Sequence, residues 1–124
     1  MDFRQQKACV FFMRMMLCNA EHIAVENPVG IMSSCYRKPD QVIQPYEYGD
    51  PHKKTTCLWL KGLPQLVPTK IVEPILVQYT CKNGKVATFS ECYVRGFDGN
   101  RSKHRSRTFP GIAQAMGDQW GKVL

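Results

Sequence analysis

Apolar residues gather into a few short runs along the chain, and their spacing predicts alternating helices and strands. Residues 7–18 contain no glycine or proline and are apolar on nearly every side, which is typical of a helix packed on most of its surface. The apolar run at residues 23–25 follows after a short link and predicts a buried strand. Helix, turn and buried strand form half of a βαβ unit, so the chain is expected to begin in the middle of an α/β pattern.

The middle of the chain favours β-structure. Residues 41–44 predict a short strand, and residues 55–60, which follow two lysines, predict a strand that is apolar enough to lie inside a sheet. Two β-prone runs, residues 75–79 and 85–89, flank the dipeptide Asn83-Gly84, which is a strong signal for a hairpin.

The last apolar run predicts a helix. Thr108 is expected to cap it, and Ile112, Ala115 and Met116, with Gln119 or Trp120, would share one face. A chain of 124 residues has room for one hydrophobic core. We therefore expect an α/β fold in a single domain that covers residues 1–124.

Charge and hydropathy narrow the function classes. The formal net charge is +7, and a basic protein meets mostly nucleic acid and acidic proteins in a cytoplasm. A solvated basic surface with no partner remains the alternative.

No apolar run approaches the roughly 20 residues that cross a bilayer, and the first residues lack the features of a signal peptide. We expect a cytoplasmic protein with no membrane association.

The six cysteines are scattered along the chain. None forms a C-x-x-C pair or has a histidine at ligand spacing, so no metal site is expected. Buried thiols that act as small apolar residues are the simplest interpretation. None of the six follows a proline.

Glu26 and Asn27 follow the predicted strand directly, and Pro28 and Gly30 end it. Ligands of open α/β sheets bind outside the carboxyl ends of strands, so this pair is a candidate site. A carboxylic acid placed there can protonate or hydrogen-bond a ring nitrogen if burial raises its pKa. Ordinary turn residues are the alternative interpretation.

Two groups of basic residues are candidates for binding nucleic acid or an acidic partner. Lys53 and Lys54 precede a predicted buried strand, where adjacent cations suit a phosphate or carboxylate. The second group, in a polar glycine-bearing loop, would follow a phosphate backbone and consists of Arg101, Lys103, Arg105 and Arg107. Solvated charges are the alternative interpretation for both groups.

Several motifs resemble one family in combination. The sequence AVENP looks like the Glu-Asn-Val strand end of DNA cytosine-5 methyltransferases, and GDPHKKTTCLWL is similar to their Gly-x-Pro-Gln-x-Arg-x-Arg strand entry. The pattern is closer still to methyltransferase-like proteins of bacteriophages, on the segments DQVIQP, TCLWLKGLP, PTKIV and RSRTFPGIAQAMGDQW. The resemblance covers residues 7 to 121.

This resemblance implies a partial Rossmann-like (methyltransferase-type) mixed sheet with a hairpin insertion and a C-terminal helix. Glu26 would contact N3 of a flipped cytosine, Asn27 would help hold the strand end, and Lys54 would take the place of an arginine near the site. The family's glycine-rich turn for S-adenosylmethionine and its Pro-Cys nucleophile have no counterpart here. We therefore expect no autonomous catalysis, and no cofactor unless a partner supplies the missing half.

Three hypotheses follow from the resemblance. In the first, the chain is a methyltransferase-like protein of phage origin that acts in the host cytoplasm by binding DNA or a cofactor-binding subunit. In the second, it is a phage inhibitor of a host nuclease or RNA-guided defence complex. In the third, it has no independent role. A sheet without its first strands must cover an edge and apolar helix faces. We therefore expect a homodimer or hetero-oligomer, with the helix at residues 8–17 or its neighbouring strand in the interface.

Overall fold

A computed structural model describes residues 2–90 and 108–124, and within them the chain has a mixed α/β architecture. In chain order the elements are α1 (Phe3–Met16), β1 (Ile23–Pro28), α2 (Met32–Cys35), β2 (Gln41–Ile43), a 3-10 helix (Pro45–Glu47), β3 (Thr56–Lys61), β4 (Leu76–Thr80), β5 (Val86–Ser90) and α3 (Pro110–Trp120). The strands form a three-stranded and a two-stranded sheet, both antiparallel. The predicted mixture of helices and strands, the hairpin and the C-terminal helix are confirmed.

The described residues divide into two compact units. The first contains α1, β1, α2, β2 and β3, and the second contains the 3-10 helix, β4, β5 and α3. No described helix has the length and apolar character needed to span a membrane. The expectation of a single domain stays a prediction.

Helix α1 begins four residues before the predicted start at Lys7. The Asp2 carboxylate accepts the backbone N–H of Gln5 at 2.8 Å, and the Gln5 side chain accepts the backbone N–H of Asp2 at 3.1 Å. This reciprocal capping box satisfies two donors that a helix start leaves unpaired. Phe3 therefore joins the helix, which ends at Met16, two residues before the predicted end at residue 18.

Strand β3 lies at the centre of the three-stranded sheet, between β1 and β2. Residues 56–60 are all buried, as predicted for a strand inside a sheet. Strand β1 was expected to be buried as well, but only Ile23 is, and Ala24, Glu26 and Pro28 are exposed. The prediction was wrong because β1 is an edge strand of this sheet, with one face turned away from the core.

Trp59 of β3 is the centre of the first unit's core. The side chain is fully buried, and its ring meets the edge of Phe12 of α1 with 4.9 Å between centroids. The indole Nε1–H donates to the backbone oxygen of Arg37 at 2.8 Å. The other buried members of this core are Cys9, Met16, Ile23, Met32 and Cys57.

The Asp40 carboxylate ties the connection before β2 to β3. Its Oδ2 accepts the backbone N–H of Leu60 at 2.7 Å and the Arg37 guanidinium at 3.0 Å. The side-chain amide of Gln65 donates to the Asp40 backbone oxygen at 2.7 Å. These bonds occupy polar groups beside a buried strand, where an unsatisfied group would cost free energy.

The predicted hairpin is confirmed in the second unit. Strands β4 and β5 pair from Leu76 opposite Ser90 to Thr80 opposite Val86. The turn is closed by a hydrogen bond from the Cys81 N–H to the Lys85 oxygen at 2.8 Å.

Helix α3 buries Ile112, Ala115 and Trp120, in line with the predicted apolar face. Thr108 was expected at the N-cap of this helix, but the N-cap residue is Phe109. The Phe109 side chain makes no capping hydrogen bond. Asp50 provides the missing acceptor from outside the helix, because its Oδ2 lies 2.8 Å from the backbone nitrogen of Gly111.

Tyr48 gives the second unit a predicted pH dependence. Burial, followed by the neighbouring Glu47 carboxylate, raises the pKa of Tyr48 from 10.0 to about 12. The unfolded chain releases this proton at the lower value, so the free energy of unfolding should fall as pH rises from 10.0 to about 12. Urea unfolding of the wild type and Tyr48→Phe across this range measures the effect, and equal slopes in the two proteins would rule it out.

Candidate functional site

Glu26 and Asn27 lie within β1, near its carboxyl end, and not directly after the strand as predicted, because pairing with β3 continues to Pro28. They lie opposite Leu58 and Cys57 of β3, and Pro28 is the last paired residue. The Glu26 side chain is exposed and that of Asn27 is half-buried. Because strand residues alternate between faces, Glu26 lies on the face opposite that of Ile23, which joins the core beneath α1.

An exposed carboxylate limits what this strand end can do by itself. A general acid needs a dry environment that disfavours its charged form. Glu26 has no such cover from the described part of its own unit, since its side chain is exposed. Any acid role would therefore require a substrate or a partner that covers β1.

Lys53 and Lys54 belong to the second unit, whereas Glu26 belongs to the first. Lys53 is exposed, and its backbone N–H donates to the Ser90 hydroxyl at 3.0 Å. The Lys54 ammonium lies 5.9 Å from the centre of the Phe109 ring, within the range of a cation–π contact. Lys53 is thus exposed, whereas Lys54 is half-buried.

The four basic residues that were predicted to lie in a loop fall outside the described residues; they are Arg101, Lys103, Arg105 and Arg107. Their proposed contact with a polyanion stays a prediction from the sequence.

The prediction of buried thiols holds for Cys9 and Cys57 but was wrong for Cys18, which is exposed. A hydrogen bond with Cys35, followed by burial, raises the pKa of the Cys9 thiol. Burial also raises the pKa of Cys57. A raised pKa lowers the thiolate fraction at neutral pH, and the thiolate is the nucleophile. Neither residue is therefore poised for attack.

Residues 2–90 and 108–124 contain no cluster of three or more metal-ligating side chains.

Helix α1 presents a second apolar side, away from the core. Phe3, Val10 and Phe11 are 69%, 51% and 64% exposed. The interface expected for residues 8–17 includes two of these three side chains. Phe3 was missed because the helix was predicted to begin at Lys7. The signal was present in the sequence, since Asp2 followed three residues later by Gln5 is the pattern of a capping box.

Two polar contacts were not predicted from the sequence. Asp40 binds Leu60, and Asp50 binds Gly111, across 20 and 61 residues respectively. Such separations leave no local pattern, so neither contact has a signature that periodicity would reveal.

Comparison with known proteins assigns no relative. No family model matches the sequence, no curated protein is significantly similar to it, and no solved structure matches its fold.

Proposed function

We propose that this chain is a methyltransferase-like protein of phage origin that lacks autonomous catalysis and binds a cofactor-binding partner subunit. The proposal combines the sequence motifs around Glu26 with one structural observation. The carboxylate lies exposed on an edge strand, next to an edge to which a further strand can add.

In this proposal the partner completes a Rossmann-like sheet along β1. All described strand pairs are antiparallel, so the parallel pairing typical of such a sheet would come from strands that the partner contributes. The partner would also hold S-adenosylmethionine, which would supply the methyl group, and it would contribute the Pro-Cys nucleophile, since no cysteine of this chain follows a proline. The part played by this chain would be to place the Glu26 carboxylate against the target base, with Asn27 beside it.

The positive charge of the chain supports DNA as the substrate of the assembly. A net charge of +7 favours a polyanion, and Lys53 is exposed. Binding through phosphate contacts weakens steeply with salt. The proposed place of action is the host cytoplasm.

Methyl transfer by the complex tests the role of Glu26. The complex would be isolated with a tagged chain from phage-infected cells and supplied with labelled S-adenosylmethionine and duplex DNA. Glu26→Gln is expected to lower the transfer rate by about two orders of magnitude or more, because a positioned acid contributes that much. The amount of complex should not change.

Glu21→Gln is the matched control, since Glu21 is also exposed and precedes β1 in the same unit. It should leave both the rate and the complex unchanged. Equal transfer rates for Glu26→Gln and Glu21→Gln would contradict the role assigned to Glu26.

A further inference from the structure

The outer face of α1 is an apolar surface with basic residues inside it. A shallow groove of about 360 Å³ runs along this face, and its lining residues are Phe3, Gln6, Lys7, Val10, Phe11 and Arg14. Three of the six are large apolar side chains that are at least half exposed. A patch of this kind on a helix is typical of a surface that another chain covers.

The groove lies on the opposite side of α1 from the core. Cys9, Phe12 and Met16 are the buried residues of the helix, and at 3.6 residues per turn they point away from Phe3 and Val10. One side of the helix is therefore buried by its own unit, while the other carries apolar residues with no matching cover in the described part of that unit. A helix that is apolar on both sides is suited to burial between two neighbours.

The charges that line the groove indicate what kind of partner chain would bind there. Lys7 and Arg14 line the groove, and none of its six lining residues is acidic. The Lys7 ammonium lies 4.6 Å from the centre of the Phe3 ring, so its positive charge sits directly over the apolar surface. The nearby carboxylate of Asp2 is engaged in capping α1. The surface as a whole complements apolar residues flanked by negative charges.

The same charges disfavour a second copy of this chain as the occupant. An antiparallel pair of α1 helices centred between Val10 and Phe11 would set Lys7 opposite Arg14 twice. A parallel pair would set Lys7 opposite Lys7 and Arg14 opposite Arg14. Like charges that face each other across a helix interface are destabilising.

We propose that the outer face of α1 is a docking surface for an amphipathic helix of a different protein. The partner helix would place its apolar residues over Phe3, Val10 and Phe11, and its aspartates or glutamates would contact Lys7 and Arg14. The inference rests on the proposed function only for the existence of a partner subunit, and it names the element by which that subunit is held.

A synthetic peptide tests the surface without the natural partner. The probe is a fluorescent helix of about 18 residues, long enough to form in water, with leucines at i, i+3, i+4 and i+7 and glutamates beside them. A second peptide has lysines in place of the glutamates. Anisotropy titration with the full chain is expected to give at least about ten-fold tighter binding of the glutamate peptide, which corresponds to roughly 1.4 kcal/mol.

Two double variants separate local charge from net charge. Lys7→Glu with Arg14→Glu should reverse the preference between the peptides. Lys82→Glu with Lys85→Glu has the same net charge but changes two exposed residues of the β4–β5 hairpin region, and it should leave the preference unchanged. Phe11→Ser should weaken binding of both peptides.

Three results of the peptide titrations would overturn the inference. They are the absence of binding by either peptide, equal binding of the two, and a preference that both double variants change alike. Concentration-dependent dimerisation that Phe11→Ser abolishes would also overturn it, in favour of a second copy. None of these results bears on methyl transfer by the isolated complex, so the docking surface and the proposed function fail separately.

Discussion

Replacing Trp59 with alanine is expected to lower the free energy of unfolding by about 3–5 kcal/mol, the usual cost of removing a large aromatic side chain from a core. The indole is fully buried, packs edge-on against Phe12 and donates a hydrogen bond to the Arg37 backbone. Truncation leaves a cavity between α1 and β3 and removes the donor from a part-buried carbonyl. Denaturant unfolding followed by circular dichroism measures the change.

Two comparisons separate the contributions of Trp59. Trp59→Phe keeps much of the apolar volume but removes the Nε1–H donor, so it should cost clearly less than Trp59→Ala. Phe11→Ala removes an aromatic ring that is 64% exposed, and it should change stability by no more than about 0.5 kcal/mol. Similar losses for Trp59→Ala and Phe11→Ala would show that Trp59 is not the centre of this core.

Gly111→Ala is expected to destabilise the protein by about 1–3 kcal/mol, as overpacking does. A methyl group at this position would overlap the backbone oxygen of Tyr48 and lie 2.8 Å from Asp50 Oδ2. The first neighbour is backbone and cannot rotate aside. The N-terminus of α3 would have to move away from Asp50, which would lengthen the hydrogen bond to the Gly111 N–H. Thermal unfolding measures the loss.

Gly117→Ala is the matched control within the same helix. A methyl group there meets nothing within 4 Å, and alanine is favoured over glycine in a helix interior by about 0.5–1 kcal/mol. This variant should therefore be neutral or more stable than the wild type. If both substitutions raised the melting temperature alike, the close approach of Tyr48 to Gly111 would be refuted.

The sequence predicts most of the elements because their signals are local. Asn83-Gly84 between two β-prone runs predicts the hairpin, and the run ending at Leu60 predicts the central strand. The burial of β1 was wrongly predicted, because a short apolar run is compatible with both an edge and a central position. Sheet order depends on which segments pair across long separations, and periodicity carries no information about it.

The candidate site is predictable to a smaller degree. Pro28 and Gly30 predict where the strand ends, and β1 does end at Pro28, but the exposure of Glu26 was not predicted. In the proposed assembly a partner covers Glu26, and no pattern within this sequence predicts such a cover. The second apolar side of α1 is visible in the sequence as a helix that is apolar all round. The orientation of that side required the structure, because it depends on which residues the sheet buries.

Affinity capture of the tagged chain from phage-infected cells is the most direct test of the central claim, that this protein acts through a cofactor-binding partner. Mass spectrometry should identify a stoichiometric partner with a glycine-rich cofactor turn. S-adenosylmethionine should then raise the melting temperature of the complex but not that of the chain alone, since a ligand stabilises only the species that binds it. Capture of a host nuclease or a defence complex in place of such a partner would contradict the claim, as would stabilisation of the chain alone by S-adenosylmethionine.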